Sequence, residues 1–253
     1  MHIAGWAVTA IAAAAGLVIG SWLTTAIARV PHRQSVLRPR ARCPRCGARL
    51  HAADLIPVAG WLRRRGRCRD CGEAFGAWYL LAELGTAVLF AALALRLGFS
   101  PALPAFCYLA AVGLALAIID IQHQRLPDAL TLTSYPVALL LLGLAALVTA
   151  DGGGRFLDAL IGMAAFTLFF LLQALIYPAG MGWGDVKLSG LIGLYLGWFG
   201  LTVAVAGLLA GYLLAALTAI ALLVTRRATR KSQIPFGPFM LAGALLAIVA
   251  SGL

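Results

Sequence analysis

The chain has 253 residues, of which 62% are hydrophobic and only 11% charged, and its mean hydropathy is +0.94. A soluble domain carries about a quarter charged residues, so a soluble globular protein is excluded and an integral membrane protein is implied. The net charge of +11 could suit a nucleic acid, but no groove-reading motif accompanies it, and no nucleic-acid partner is expected.

From the N-terminus onward, apolar runs near the length that spans a bilayer, about 20 residues, occupy 3–29, 78–98, 103–121, 129–149, 156–177, 186–200, 201–224 and 235–252. The run 186–224 is too long for one span, and "GWFG" at 197–200 is its predicted break. In lipid every backbone polar group needs an internal partner. The expectation is therefore an all-α, polytopic membrane bundle of about eight transmembrane helices. It divides into a first helix (1–29), a loop domain (30–77) and a membrane part (78–253).

The first run has no Lys or Arg before it and an Arg-rich flank after it. That order opposes a secretory signal and reads as a retained helix with its N-terminus outside. The segments 29–77, 122–128, 178–187 and 225–234 then share the cytoplasmic side. They hold eighteen of the twenty basic residues, leaving Arg96 and Arg155 outside. This is the bias of the positive-inside rule, and anionic lipid headgroups are the expected partners of the Arg-rich loop.

That loop contains "CPRC" at 43–46 and "CRDC" at 68–71. The pattern C-x2-C-x21-C-x2-C is one residue beyond the usual four-thiolate spacing. Gly47 and Gly72, each following a second Cys, relax the backbone into a knuckle. Cys43, Cys46, Cys68 and Cys71 suit a structural, zinc-ribbon-like Zn²⁺ site. Two disulfides are the alternative, disfavoured on a reducing face. Cys107 lies alone in an apolar helix and reads as packing.

The acids are few. With Asp54, Asp70 and Glu73 in the loop and Asp151 and Asp158 near the outer side, four remain: Glu83, Asp120, Asp128 and Asp185. Ionisable groups in or near spans call for a functional hypothesis. Asp120 ends one apolar run and Asp185, in "AGMGWGDVKL" (179–188), begins another. Two spans separate them, so both face one side at similar depth although they are 65 positions apart. Two close carboxylates cannot both ionise readily: one keeps a proton while the other activates water. Gly182 and Gly184 would let a substrate strand approach closely. The plainer readings stay open. Asp185 and Asp128 could cap helices, and Asp120 could pair with Arg125 or Lys187. By the helix-dipole argument Asp120, at a helix end, carries the shared proton and Asp185, at a helix start, the charge.

"GMGWGDVKL" together with "IIDIQHQRLPD" resembles the type IV prepilin peptidase family, membrane aspartic proteases with a Gly-x-Gly-Asp signature. Here that signature is residues 182–185, and Asp120 matches the family's other catalytic aspartate. "GSWLTTAIARVP" (20–31), the paired Cys-x-x-Cys, "IPVAGWLRRRGRCRDC" (56–71), "YLLAEL" (79–84) and "IPFGPF" (234–239) resemble further family blocks, in family order.

The resemblance implies cleavage of the basic leader from type IV prepilins or pseudopilins at the cytoplasmic face of the inner membrane. It also implies N-methylation of the new terminus with S-adenosylmethionine, through the zinc loop. Glu83 reads first as a structural partner of a loop Arg, and the resemblance suggests it second for the methyl donor site. Lys187 and Asp128 are candidate supporting groups, Lys187 either screening the acids or snorkelling to the interface. The peptidase blocks are intact. In the methyl-transfer half Thr24 and Leu55 replace expected Asn, and Leu80 an expected Pro. A peptidase without methyl transfer is therefore one alternative, and a non-enzymatic scaffold or transporter with a zinc docking loop is another. A transporter should show repeated halves, and no internal repeat is visible.

Overall fold

In a computed structural model of the chain, residues 2–35, 43, 45–49, 56–178, 181–227, 229 and 232–251 are described. The named elements among them are helices, and Arg67 and Ala74 form an isolated antiparallel bridge. In chain order they are α1 (His2–Arg29), a short 3-10 helix (Val30–His32), the loop helix α2 (Ala59–Arg63), α3 (Trp78–Leu97), α4 (Leu103–His123), α5 (Asp128–Val148), α6 (Gly152–Ile176), α7 (Trp183–Gly197), α8 (Leu201–Val224) and α9 (Gly237–Ala250). The predicted break is present: α7 ends at Gly197, and Gly200, at φ +99°, starts α8.

Six helices, α1, α3, α4, α5, α6 and α8, are long and apolar enough to cross a membrane. The other two expected spans are shorter. α7 has 15 residues and α9 has 14, about 22 and 21 Å of helix against a hydrocarbon core of about 30 Å. For α7 the reason is burial. Val186 and every residue from Leu188 to Gly197 are buried, so neighbouring helices surround α7 and the bilayer thickness does not set its length. α8 is the opposite case, with Leu201, Leu209, Leu213, Leu217 and Ile220 all exposed toward the lipid.

Lipid tails are as apolar as leucine, so helices associate here through close packing rather than through exclusion of water. Glycine supplies that closeness at three interfaces. A Cβ on Gly16 or Gly20 of α1 would lie 2.7 Å from the Cα of Ala87 or Glu83 on α3. Gly162 of α6 and Gly193 of α7 each face the other's carbonyl oxygen, and Gly243 of α9 lies against Gly207 and Gly211 of α8. The most extensive helix pairs are accordingly α1 with α3, α6 with α7, and α8 with α9.

A large apolar core joins α4 to α9, with Leu93 of α3, around Phe106, Phe170, Leu194 and Tyr195. A smaller one joins α1, α3 and α4 around Leu23, Ile27, Phe90 and Ile119. α4 contributes to both and is the shared wall of the molecule. α3, which opens the 78–253 part, packs mainly on α1.

Contacts at one end of the bundle collect three loops. His32, just after α1, meets His123 at the end of α4, with ring centroids 5.8 Å apart. Gln124 Nε2 donates to the carbonyl of Gln233 ahead of α9 (3.1 Å). Leu126 touches the start of α7 at Gly184. The loop domain, the Asp120 end of α4, and the starts of α7 and α9 therefore meet there.

Candidate active site

Asp120 lies in the last turn of α4, one turn from Gln124, whose backbone N–H closes the helix on the Asp120 carbonyl (2.8 Å) from a left-handed conformation. Asp120 is only 5% exposed. Asp185 lies in the first turn of α7, two residues inside it, because the helix starts at Trp183 rather than at 186. The two carboxyl groups are near enough for the charge of one to act on the other.

Asp185 also reaches back toward the N–H of Gly182, the residue that precedes α7, in the manner of a capping box. Its Oδ2 would be 3.1 Å from a Cβ on Gly182. Capping and facing Asp120 are thus both open to this side chain. Gly184 makes its close approach to Leu126 of the same chain: a Cβ there would sit 2.9 Å from the Leu126 Cβ.

The Asp120 carboxyl faces the start of α9. The Gly237 N–H is directed at it, yet Oδ2 is buried and has no hydrogen-bond partner among the described residues. α4 presents the negative end of its dipole to Asp120, while α9 presents its positive end. Both acids therefore see a helix start, and the dipole argument that would give the shared proton to Asp120 no longer separates them.

The supporting residues divide. Lys187 Nζ donates to Asp128 Oδ1 (2.7 Å) in an exposed pair. Asp128 is the first residue of α5, and Pro127 ahead of it makes no side-chain cap, so Asp128 serves Lys187 rather than the helix end. Tyr135 of α5, unremarked in the sequence, donates its hydroxyl to the Lys187 carbonyl (2.6 Å). It thereby anchors the turn that carries Asp185.

Glu83, buried on α3, accepts the backbone N–H of Val58 at 2.6 Å. Val58 has φ +60°, a conformation costly for a β-branched residue. The acid thus fastens the loop to the membrane helices. Thr24 donates its hydroxyl to Ser21 of its own helix (2.6 Å), Leu80 is half-buried, and Leu55 lies outside the described residues.

Sulfur atoms of Cys43, Cys46, Cys68 and Cys71 lie within 4.8 Å of one another, and all four are free thiols. Cys43 and Cys71 are 3.7 Å apart, Cys46 and Cys68 3.9 Å. A tetrahedral Zn²⁺ with Zn–S bonds of about 2.3 Å requires sulfurs roughly 3.8 Å apart, so the donor set fits. The two knuckles share one pattern. Cys43 N–H bonds to the Ala48 carbonyl and Gly47 N–H back to Cys43; Cys68 N–H bonds to Glu73 and Gly72 N–H back to Cys68.

Backbone N–H groups of Cys71 and Asp70 bring the Cys68 thiol down to about 7. The Glu73 N–H pulls the Cys71 thiol down as well, but burial and the neighbouring sulfurs outweigh it and leave that thiol at about 12. Four crowded sulfurs ionise together only around a cation. Arg45 pairs with Glu73 and clasps the two knuckles.

Residues 14–97 match the family model described as the bacterial peptidase A24 N-terminal domain, and residues 107–225 match that of the type IV leader peptidase family. The chain is 34% identical, over 92% of its length and 90% of the relative's, to a prepilin leader peptidase/N-methyltransferase of Bacillus subtilis (strain 168). A protein of the same name from Pseudomonas aeruginosa is 31% identical over 92% of this chain and 87% of its own. One from Burkholderia pseudomallei (strain K96243) is 38% identical over 85% and 68%. No solved structure matches.

Proposed function

We propose that this chain, which belongs to the type IV leader peptidase family, is a multi-pass membrane aspartic endopeptidase acting through Asp120 and Asp185. Its substrates are the prepilins that such relatives are named for, or pseudopilins with the same kind of leader, and it removes their basic leader. The observation that carries this reading is the meeting of two acids, from the end of α4 and the start of α7, in a chain with nine acidic residues.

With one carboxyl ionised and the other protonated, the ionised group takes a proton from water as the water oxygen bonds to the scissile carbonyl carbon. The protonated group gives its proton to the carbonyl oxygen. The C–N bond then breaks as the leaving nitrogen takes the proton held by the first group, and the diol proton returns as the carbonyl re-forms. No metal and no covalent intermediate are needed.

An apolar cleft of about 220 Å³ runs between α3, α4 and α9, lined among others by Leu93, Phe106, Leu109, Pro238, Leu241 and Leu245. Pro238, which lines it, follows Gly237 in the chain, and Gly237 lies against Asp120. We assign the apolar helix of the substrate to it, so that affinity comes from packing rather than from attraction between a basic leader and a basic loop. The Arg content of the loop supports a cytoplasmic position for this end of the bundle by the positive-inside rule.

The four thiolates would hold a Zn²⁺ that supplies structure, joining the two halves of the loop. N-methyl transfer is the second activity in the relatives' name, and we assign it, with S-adenosylmethionine as the donor, to the loop region 30–77 with the neighbouring helix ends. Its support is that name. Glu83 Oε2 accepts the Val58 N–H, which leaves the other carboxylate oxygen for a second partner, and cleavage without methylation is the second reading. Purified protein mixed with a prepilin, with product mass as the readout, separates cleavage alone, cleavage with one added methyl, and no reaction. An unchanged substrate overturns the peptidase.

A further inference from the structure

Three features at the mouth of the acid pair converge on one residue that neither the signature nor the charge pattern singles out. The first is the state of Asp120: its Oδ2 is buried and lacks a hydrogen-bond partner among the described residues, in a residue 5% exposed. A buried carboxyl oxygen without a partner is costly, so something nearby must offset it.

The second is the start of α9. Phe236 provides no side-chain cap, Pro238 has no N–H, and the N–H groups of Phe239 and Met240 both turn back to the Phe236 carbonyl. The Gly237 N–H is left in the first turn, directed at the Asp120 carboxyl. The positive end of a 14-residue helix thus points at the acid.

The third is space. A Cβ on Gly237 would lie 2.8 Å from Asp120 Oδ2, and 3.5 Å from both Leu126 Cδ1 and Leu188 Cδ2. The side chains of Leu126 and Leu188 close the pocket on two further sides, so the carboxyl could not yield to a methyl group without rotating.

We propose that Gly237 is a positioning residue of the acid pair. The start of α9 supplies the electropositive wall for Asp120, and the missing side chain leaves Oδ2 the volume in which it exchanges its proton. A third element, distant in sequence from both aspartates, thereby sets the geometry of one of them. The proposal rests on the peptidase reading for its consequence in catalysis, but the contact itself is a matter of packing.

The test uses the full-length protein in detergent or nanodiscs. Gly237→Ala should lower kcat for leader cleavage by about 100-fold, the effect of misplacing a reacting group by about 1 Å, with KM for the prepilin unchanged. A kcat within twofold of the parent, or a loss expressed in KM alone, overturns the proposal. A second measurement needs no activity. Gly237→Ala should lower the melting temperature in the parent but not in an Asp120→Ala background, where the vacated volume accepts the methyl group. Equal losses in both backgrounds overturn the contact. If the parent cleaves nothing, the peptidase reading fails by itself, while the melting comparison still decides whether residues 237 and 120 are coupled.

Discussion

Leu126 is wedged against Gly184: its Cβ, Cδ1 and Cγ would lie 2.9, 3.2 and 3.4 Å from a side-chain carbon at that position. The same leucine also bounds the pocket in front of Gly237. One apolar side chain from the α4–α5 turn therefore spaces α7 from α9, and with them the surroundings of Asp185 from those of Asp120. Gly184→Ala is expected to push α7 away from this wedge and reduce kcat/KM for cleavage by about 10- to 100-fold. Leu126→Ala added to it should recover part of the loss. If the double variant is no better than the single one, the wedge is not what Gly184 accommodates.

Asp120→Asn and Asp185→Asn should each lower cleavage by at least about 100-fold, since general acid and base roles contribute about 100- to 10,000-fold each. Neither should weaken prepilin binding, which is assigned to the cleft between α3, α4 and α9. Their melting temperatures should equal or exceed that of the parent, because an amide is cheaper to bury than a carboxylate. Binding and turnover measured on the same purified variants check this. Substantial turnover in either one removes the dyad.

Glu83→Ala should orphan the Val58 N–H and destabilise the attachment of the loop by about 1–3 kcal/mol. Glu83→Gln keeps an acceptor oxygen and should lose about 1 kcal/mol. Hydrogen exchange over residues 56–63 reports the difference. If Glu83 instead binds the methyl donor, Glu83→Gln will abolish N-methylation while leaving exchange in the loop unchanged.

The purified protein should contain about one zinc per chain. Cys68→Ser should lower that content and open the loop to added protease, while leaving the fragment that contains α4 to α9 intact, because no residue of the sulfur cluster belongs to the larger apolar core. A full complement of zinc in this variant would place the metal elsewhere.

Lys187→Ala is the contrasting case. The Lys187–Asp128 pair is exposed, and exposed pairs are worth about 0–1 kcal/mol. Cleavage and melting temperature should stay near the parent's. A large loss of kcat would return Lys187 to the machinery around Asp185.

Much of this architecture was readable from the linear order of residues. Apolar runs mark helices because a backbone in lipid has to satisfy itself within the segment, so local composition suffices to find them; "GWFG" marked the α7–α8 break for the same reason. Counting an even number of spans between Asp120 and Asp185 brought them to one end, and the spacing of paired cysteines anticipated the knuckles at Gly47 and Gly72. The partners of these groups were not readable. That Leu126 touches Gly184, that Gly237 faces Asp120, that Glu83 holds Val58 and that His32 meets His123 all depend on how helices rotate and tilt against one another. Those angles are set by glycine surfaces such as Gly20 on Glu83 and Gly193 on Gly162, whose partners lie 31 to 63 residues away. Hydropathy says that a helix exists and how long it is. Which of its faces meets which neighbour is decided only when all the helices pack at once.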